Sequence, residues 1–255
     1  MFFSGCTLRC IFCQNSEIAA AHVGKKITVE RLSDIFLELQ DKCANNINLV
    51  TATHFVPQVA EALVKAKNKG LVIPVVYNSS AYENVSTLNM LDGLVDVYLP
   101  DMKYIDSRLS AEYSKAPDYA DVAKAAIHEM VRQTRKPEFF IEDDELVKSG
   151  RVEAGIMKKG VIVRHLVLPG TTKDSKAVIK YLIDTYGDDI YISIMSQYTP
   201  FERLKKHPLL SRKVTRKEYN SVVDYAIDCG INNGFIQEGD VAEESFIPEF
   251  DYEGI

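Results

Sequence analysis

The stretch FFSGCTLRCIFCQN, residues 2–15, holds three of the five cysteines in this chain of 255 residues. Cys6, Cys10 and Cys13 form the pattern C-x3-C-x2-C directly after a short apolar run that is typical of a β-strand. Three thiolates on one loop can hold three irons of a cubane [4Fe–4S] cluster and leave the fourth iron without a protein ligand. The motif therefore predicts an iron–sulfur site with one open corner.

Two other interpretations of the three cysteines stay open. A zinc site needs a fourth protein ligand. Cys43 falls within a predicted helix and Cys229 at a helix end, so neither is an obvious ligand, whereas His54 or His165 can serve in principle. The three thiols can also be unligated, since free cysteine behaves as a small buried apolar residue.

The composition is that of an ordinary globular protein, with 46% hydrophobic residues, 26% charged residues and a formal net charge of -6. The negative balance argues against a nucleic acid as the main partner, because phosphate binding needs clustered Lys and Arg. We find no apolar run long enough to span a membrane and no signal-peptide pattern, so no membrane partner is expected. An odd number of crowded cysteines is no disulfide framework, and a reducing cytoplasm is the expected location.

Short β-branched runs alternate with helical periods along the whole chain. Amphipathic spacing predicts helices over 32–39, 59–66 and 219–227. Since the strand candidates are apolar nearly throughout, we expect a mostly parallel sheet covered by helices. This rhythm predicts one α/β domain over residues 1–255, built as a full or partial (β/α) barrel, with a doubly wound open sheet as the alternative. The predicted strands are 1–5, 47–54, 71–80, 94–103, 160–170, 189–200 and 234–239.

Two segments depart from this rhythm. Residues 136–159 are charged, contain glycine and show no period, so we expect a long loop or a small excursion from the barrel there. The segment 243–255 mixes acidic residues with Phe246, Ile247, Phe250 and Tyr252, and is expected to pack across the barrel surface.

Active sites of such folds gather at the carboxyl ends of the strands. The polar residues at these positions are therefore expected to converge on one rim, together with the cysteine loop. They are Thr51, Thr53, His54, Asn78, Ser79, Ser80, Asp101, Lys103, Arg164, His165, Gln197, Tyr198, Thr199, Gln237, Glu238 and Asp240.

The cysteine motif, with an aromatic residue (Phe12) before its third cysteine, resembles the radical S-adenosylmethionine (SAM) superfamily. Further phrases are similar to its pyruvate formate-lyase activating enzyme-like group and, more narrowly, to the PflX-like branch. These phrases are NINLVTATHFVPQ, PVVYNSSAYE, YLPDMKY, VIVRHLVLPG and MSQYTP. The resemblance implies a partial (β/α)6-type barrel, one [4Fe–4S] cluster in this chain and SAM as cofactor.

The resemblance also implies roles for the cysteine loop and for the end of the second predicted strand. Cys6, Cys10 and Cys13 would bind the cluster and serve catalysis, and Phe12 would lie near the adenine of SAM. The group usually has Gly-Gly-Glu after the second strand to receive the SAM amino group, but this chain has TATHF at 51–55 and lacks the acid. The resemblance leaves Thr51, Thr53 and His54 as cofactor-binding candidates there.

Three further matches concern the next strands. The group's Asp-Thr-Asn-Gly near the ribose appears as NSSA, in which Asn78 and Ser80 keep the capacity to bind the ribose. Ala81 in place of glycine predicts a backbone that no longer needs positive φ. Other cofactor-binding candidates implied by the resemblance are Asp101, Lys103 and Arg164.

Arg164 and His165 are adjacent, so one of them must face away from the barrel interior. A guanidinium suits bidentate carboxylate binding, which makes Arg164 the candidate ligand contact. A lone histidine near a strand end is more often structural, and an Asp–Lys pair such as Asp101 and Lys103 is often a structural ion pair.

The resemblance implies an oxidoreductase, like the [formate-C-acetyltransferase]-activating enzyme, that cleaves SAM reductively to a 5'-deoxyadenosyl radical. Its implied partners are a glycyl radical enzyme or another peptide substrate, and reduced flavodoxin or ferredoxin as electron donor. Two alternatives remain: a radical SAM enzyme acting on another peptide or a small metabolite, and a non-catalytic protein that binds zinc or a structural iron–sulfur cluster.

Overall fold

The computed structural model describes residues 1–20 and 23–236, and a seven-stranded sheet forms the centre of this part of the chain. Its strands are β1 (Ile47–Val50), β2 (Val75–Ser79), β3 (Val97–Pro100), β4 (Glu138–Phe139), β5 (Met157–Leu166), β6 (Tyr191–Met195) and β7 (Gly234–Ile236). The order is β1-β2-β3-β5-β6-β7 with every neighbouring pair parallel, and β4 lies antiparallel to β5.

This strand order decides between the two predicted architectures. Along the path the strands follow one another in chain order and never reverse, whereas a doubly wound sheet reverses at a switch point. The predicted α/β fold, a partial (β/α)6-type barrel with mostly parallel strands, is confirmed.

Helices connect most of the strands and cover the sheet. Within the described residues they are α1 (Ser16–Ala20), α2 (Val29–Asp41), α3 (Val56–Asn68), α4 (Val85–Leu88), α5 (Ser107–Ser114), α6 (Tyr119–Thr134), α7 (Glu145–Lys148), α8 (Thr172–Tyr186) and α9 (Arg216–Asp228). The three amphipathic stretches are confirmed as α2, α3 and α9. α2 and α9 begin at threonine caps, Thr28 and Thr215, whose hydroxyls accept backbone N–H groups of the first turn.

The predicted first strand, residues 1–5, is wrong in extent. One isolated parallel bridge joins Phe2 to Val50. The Phe3 N–H donates to the Val50 carbonyl at 3.0 Å, and the Val50 N–H donates to the Met1 carbonyl at 2.9 Å. Gly5 then takes φ +93, which an L-residue rarely adopts, and turns the chain away from β1 into the cysteine loop.

The sheet has two different faces. In β5, Val163 and His165 are buried while Arg164 between them is half-buried, and in β2 Tyr77 is buried while Asn78 is half-buried. Because neighbouring residues of a strand point to opposite sides, the buried residues lie on the face that α6 packs against at β3 and β5. We call this the helix-covered face, and the side of Asn78 and Arg164 the open face.

The segment 136–159 contains more regular structure than expected. It holds β4, the short helix α7 and the first residues of β5, which begins at Met157 instead of 160. Gly160 has φ +145, and a Cβ there would lie 3.1 Å from the Pro137 Cα, so the β4–β5 pairing needs glycine at this point. The segment is therefore an antiparallel addition to the sheet with a helical turn.

Some predictions fall outside the described residues. They concern Gln237, Glu238 and Asp240 at the rim, the end of the strand predicted at 234–239, and the packing of 243–255. Within the described part of the chain, none of the helices has the length and apolar character needed to cross a membrane.

Candidate active site at the carboxyl edge of the sheet

The cysteine loop, residues 5–15, is held by the end of α5. The Arg9 N–H donates to the Ser114 carbonyl at 3.1 Å, and the Ile11 N–H donates to the Tyr113 carbonyl at 2.8 Å. These carbonyls belong to the last turn of α5, where no helical partner is left for them. The cysteine loop thus provides hydrogen-bond donors for the last carbonyls of α5, and these bonds hold the loop in place.

A second anchor comes from the segment after β6. The Arg203 guanidinium donates to the Ile11 carbonyl at 3.0 Å and to the Cys13 carbonyl at 2.6 Å. Phe12, which is 7% exposed, packs edge-to-face on Tyr198 with ring centroids 6.3 Å apart. The loop carrying the thiols is therefore tied to two separate parts of the fold.

Cys6, Cys10 and Cys13 are free thiols and partly buried. Burial, together with the neighbouring Cys10 charge, raises the pKa of Cys6 and of Cys13. Within 1–20 and 23–236, no three His, Cys, Asp or Glu side chains come close enough together to hold one metal ion. A cubane makes no such demand, since each thiolate binds a different iron at its own corner. The donor set fits a three-ligand cluster.

A charged network lies on the open face beside this loop. Asp101, which follows β3 and bridges to β5, places one carboxylate oxygen 2.7 Å from Arg164 Nη2 and the other 2.6 Å from Lys103 Nζ. The same Arg164 nitrogen donates to Asn78 Oδ1 at 2.7 Å. Four of the predicted site residues, from β2, the end of β3 and β5, are thereby brought together.

The network is mutually neutralising. Burial alone would raise the pKa of Asp101, but the Arg164 and Lys103 charges hold it below its ordinary value. Burial would lower the pKa of Lys103, but Asp101 and Cys10 hold it above its ordinary value. Cys10 Sγ lies 3.0 Å from Ser114 Oγ, which lies 3.0 Å from the hydroxyl of Tyr104, the residue after Lys103, so the network and the cysteine loop are neighbours. Arg164 Nε is buried, has no hydrogen-bond partner among residues 1–20 and 23–236, and is available as a donor.

The turns after β1 and β2 are strained. Thr51 and Ala81 both have φ +59, a conformation that costs an L-residue about 1–2 kcal/mol. The expectation that Ala81 would not need positive φ is wrong. The strand-to-loop turn takes this geometry with alanine in place, and the Ala81 N–H donates to Ser79 Oγ at 3.1 Å.

Thr53 leads to a carboxyl group that the sequence interpretation missed. Its hydroxyl donates to Glu83 Oε1 at 2.7 Å, and the Tyr77 hydroxyl donates to the same oxygen at 3.2 Å. Glu83 is 3% exposed, and this burial raises its pKa to about 7, against the opposing effect of the two bonds. The turn after β1, which lacks Gly-Gly-Glu, is therefore bonded through Thr53 to an acid, Glu83, from the loop after β2.

The other two candidates at this rim are His54 and Ser80, and neither side chain is bonded to the charged network. His54, in a helical turn at Thr53–Phe55, is exposed and lies against Gly5, so that a Cβ on Gly5 would meet His54 Cδ2 at 3.2 Å. The Ser80 carbonyl accepts from the Tyr119 hydroxyl at 2.9 Å.

Tyr119 is a further residue that the sequence interpretation missed. Its hydroxyl shares its one proton between the Ser80 carbonyl at 2.9 Å and the Asp101 carbonyl at 2.7 Å, and it accepts from the Lys103 N–H at 3.0 Å. One phenol at the start of α6 therefore ties the end of β2 to the end of β3. Its position at the first residue of a helix was the only sequence signal.

His165, Cys43 and Cys229 are not part of this site. His165 is 1% exposed on the helix-covered face, and its Nδ1 donates to the Met102 carbonyl at 2.7 Å. Burial and the Lys103 charge lower its pKa to about 4. Cys43 lies beyond the end of α2 and is exposed, so its placement within a helix was wrong, whereas Cys229 caps the end of α9 as expected.

The family model of the radical SAM superfamily matches residues 1–182, more than half of the chain. The chain therefore belongs to the radical SAM superfamily.

Individual proteins are also similar to this chain. An uncharacterized protein of Methanocaldococcus jannaschii is 28% identical over 233 residues, which cover 89% of this chain and 61% of that protein. SuiB of Streptococcus suis, solved with SAM and with its precursor peptide SuiA, is similar in fold with TM-scores of 0.60 and 0.59. In the SAM complex the identity is 13%, over 94% of this chain and 50% of SuiB.

HydG of Carboxydothermus hydrogenoformans, a [FeFe]-hydrogenase maturase, has a TM-score of 0.52 at 11% identity, covering 95% of this chain and 61% of HydG. The chain thus spans about half to three fifths of the length of these proteins. The cofactors of the superfamily are a [4Fe–4S] cluster and SAM, and the three thiols described above are the donors that such a cluster takes.

Proposed function

We propose that residues 1–255 form one radical SAM domain that cleaves SAM reductively and abstracts a hydrogen atom from a substrate. The observation that carries this proposal is the cysteine loop beside the charged network. Three free, partly buried thiols lie on one loop, and Cys10 is linked through Ser114 and Tyr104 to the chain next to Lys103. When bound, the reduced cluster supplies the electron that breaks the sulfonium of SAM.

The chain's own residues would bind and orient SAM. Cys6, Cys10 and Cys13 are the cluster ligands in this proposal. Lys103 and Arg164 would attract the SAM carboxylate, and the unpartnered Arg164 Nε supports this because it can donate without breaking the bond to Asp101.

Uncharged groups at the rim would position the rest of SAM. The amino group would lie near the turn after β1, and the ribose near the turn after β2. Phe12 would contribute to the adenine site from the cysteine loop. The proposed contacts for the amino group and ribose are Thr51, Thr53, His54, Asn78 and Ser80, with Asp101 holding both cations in place.

For the substrate we propose a peptide, and specifically a backbone glycine of a glycyl radical enzyme, so that the chain would act as an activase. The half-buried side chains of the open face support a site reached by a macromolecular loop. The sequence resemblance to the activating enzymes is the second support. Reduced flavodoxin or ferredoxin in a cytoplasmic, reducing setting would supply the electron.

The chemistry is tested by anaerobic reconstitution with iron and sulfide. The protein should turn brown and bind about four irons per chain, and dithionite with SAM should then yield 5'-deoxyadenosine and methionine. Cys10→Ala should abolish the colour and the cleavage, whereas Cys43→Ala, at an exposed position outside the site, should spare both. A colourless zinc protein, or an iron protein that leaves SAM intact, contradicts the proposal.

The substrate is tested separately. Incubation of the reduced holoprotein and SAM with a glycyl radical enzyme should produce a glycyl radical doublet in its electron paramagnetic resonance (EPR) spectrum. Cleavage of SAM without such a signal, but with hydrogen abstraction from another peptide or a small metabolite, would retain the radical chemistry and reject the activase.

A further inference from the structure

A buried hydrogen-bonded chain ends on one of the three cysteines. Ser114, the last residue of α5, places its hydroxyl 3.0 Å from Cys10 Sγ. The Tyr104 hydroxyl lies 3.0 Å from the same serine oxygen. Ser114 and Tyr104 are each 1% exposed, so water does not compete for these bonds.

Cluster binding would determine the direction of both bonds. A thiolate has no proton and can only accept a hydrogen bond. The Ser114 hydroxyl must therefore donate the hydrogen bond to the Cys10 sulfur. The serine oxygen is then left to accept the proton of Tyr104. Burial and the Cys10 charge raise the pKa of Tyr104 well above its ordinary value, which keeps the phenol protonated and able to donate.

Cys10 differs from the other two cysteines in this respect. Cys6 and Cys13 interact with the backbone N–H groups of Leu8 and Asn15, within the cysteine loop itself. The donor to Cys10 is a side chain 104 residues further along the chain. A side-chain hydroxyl can be removed by substitution while the backbone bonds that dock α5 on the loop are retained.

We propose that Ser114, oriented by Tyr104, donates a hydrogen bond to the Cys10 thiolate and thereby raises the reduction potential of the cluster. This inference rests on the proposed function. The physical reason is that a donor to a ligand sulfur stabilises the added negative charge of the reduced cluster more than the oxidised form. Ser114 and Tyr104 are positioning residues, since in this arrangement neither binds iron.

The test is an EPR-monitored potentiometric titration of the reconstituted holoprotein. In Ser114→Ala the ratio of reduced to oxidised cluster at a fixed potential should fall about ten-fold, which is about 59 mV for one electron. Ser114→Thr, which retains a hydroxyl, should restore the wild-type ratio. Tyr104→Phe should lower the ratio by a smaller factor, because it removes only the orienting bond.

Ser110→Ala is the matched control. Ser110 is also 1% exposed on α5, but its hydroxyl donates to the Ser107 carbonyl, so its loss should leave the potential unchanged. A Ser114→Ala protein with full iron content and the wild-type potential overturns the inference. If Ser114→Ala assembles no cluster, Tyr104→Phe decides: an unshifted potential overturns the inference and a lowered one supports it.

Failure of the proposed function is visible before any of these variants is made. A wild-type chain that assembles no redox-active cluster, or that leaves SAM intact, rejects the proposed function. A wild-type chain that cleaves SAM, combined with an unshifted Ser114→Ala potential, rejects only the role of Ser114.

Discussion

Arg164 and His165 are neighbours in β5 and have opposite surroundings. Arg164 lies on the open face, where its guanidinium forms an ion pair with Asp101 and donates a hydrogen bond to Asn78. His165 lies on the helix-covered face and is held neutral, because burial lowers its pKa to about 4. The strand alternation alone separates the two.

A similar contrast holds between Asp101 and Glu83, which lies in the loop after β2. Asp101 is kept ionised by two cations, whereas Glu83, next to Tyr77, is favoured in its protonated form by burial. Neighbouring opposite charges compensate the charge of Asp101, whereas burial suppresses the ionisation of Glu83 and His165. The comparison shows that two half-buried or buried acids in one fold can differ in charge because only one of them has cations beside it.

The largest effect is expected from breaking the open-face network. Asp101→Ala leaves Lys103 and Arg164 without their carboxylate, and losing one member of a largely buried pair costs about 3–5 kcal/mol. Asp34→Ala is the control, since the Asp34–Lys69 pair is about half exposed and is worth at most about 1 kcal/mol. The free energy of unfolding by urea measures both, and equal losses would contradict the distinction between the two sites.

A second prediction concerns Glu83 and the pH dependence of stability. Its pKa is about 7 in the fold against an ordinary value of 4.5, so its contribution is present below pH 4.5 and is lost as the pH rises to 7. In Glu83→Gln the free energy of unfolding, relative to wild type, should therefore rise by about 3 kcal/mol across this window. A difference that stays constant with pH would show that Glu83 ionises as freely as an exposed acid.

The opposite slope is predicted for His165. Its pKa is about 4 in the fold against an ordinary value of 6.5, so its contribution is present above pH 6.5 and is lost as the pH falls to 4. His165→Gln should gain about 3 kcal/mol relative to wild type as the pH falls through this window. Urea unfolding at a series of pH values measures it, and a gain in the other direction would place a charged imidazole on the helix-covered face.

The smallest change in folding stability is expected in the turn after β2. Ala81→Gly should stabilise the fold by up to about 1 kcal/mol, because glycine relieves the strain of φ +59 but also gains freedom in the unfolded chain. Ala125→Gly, at an exposed position within α6, should instead destabilise it by about 1 kcal/mol. Thermal unfolding compares the two, and the same sign for both would argue against strain at Ala81.

The sequence predicted what depends on local pattern. Apolar strand runs and helical periods predicted the mostly parallel α/β fold, strand ends predicted that Asn78, Asp101, Lys103 and Arg164 lie together, and the cysteine spacing predicted the superfamily. The sequence did not predict Glu83 and Ser114 as partners of site residues, because they lie far away in the chain: Glu83 is 30 residues from Thr53, and Ser114 is 104 residues from Cys10.

The error at Ala81 has a different origin. Alanine at position 81 predicts a turn without positive φ, but a residue type shows only what a position tolerates. The turn after β2 has positive φ at Ala81, because the conformational strain is small enough for alanine to adopt it. The roles of Phe12, His54, Ser80 and the other cofactor contacts stay predictions, since they concern a bound molecule.

On folding, Glu83 and His165 change their protonation in opposite directions. Between pH 4.5 and 6.5 the unfolded chain carries a carboxylate at Glu83 and an imidazolium at His165, whereas the fold favours the neutral form of both. The proton that the imidazole releases is matched by the one that the carboxyl takes up, so this pair exchanges none with the buffer. The opposing pH dependences of the two groups therefore cancel in the wild type. Their combined contribution to the free energy of unfolding is nearly independent of pH between 4.5 and 6.5, although each group alone would change it.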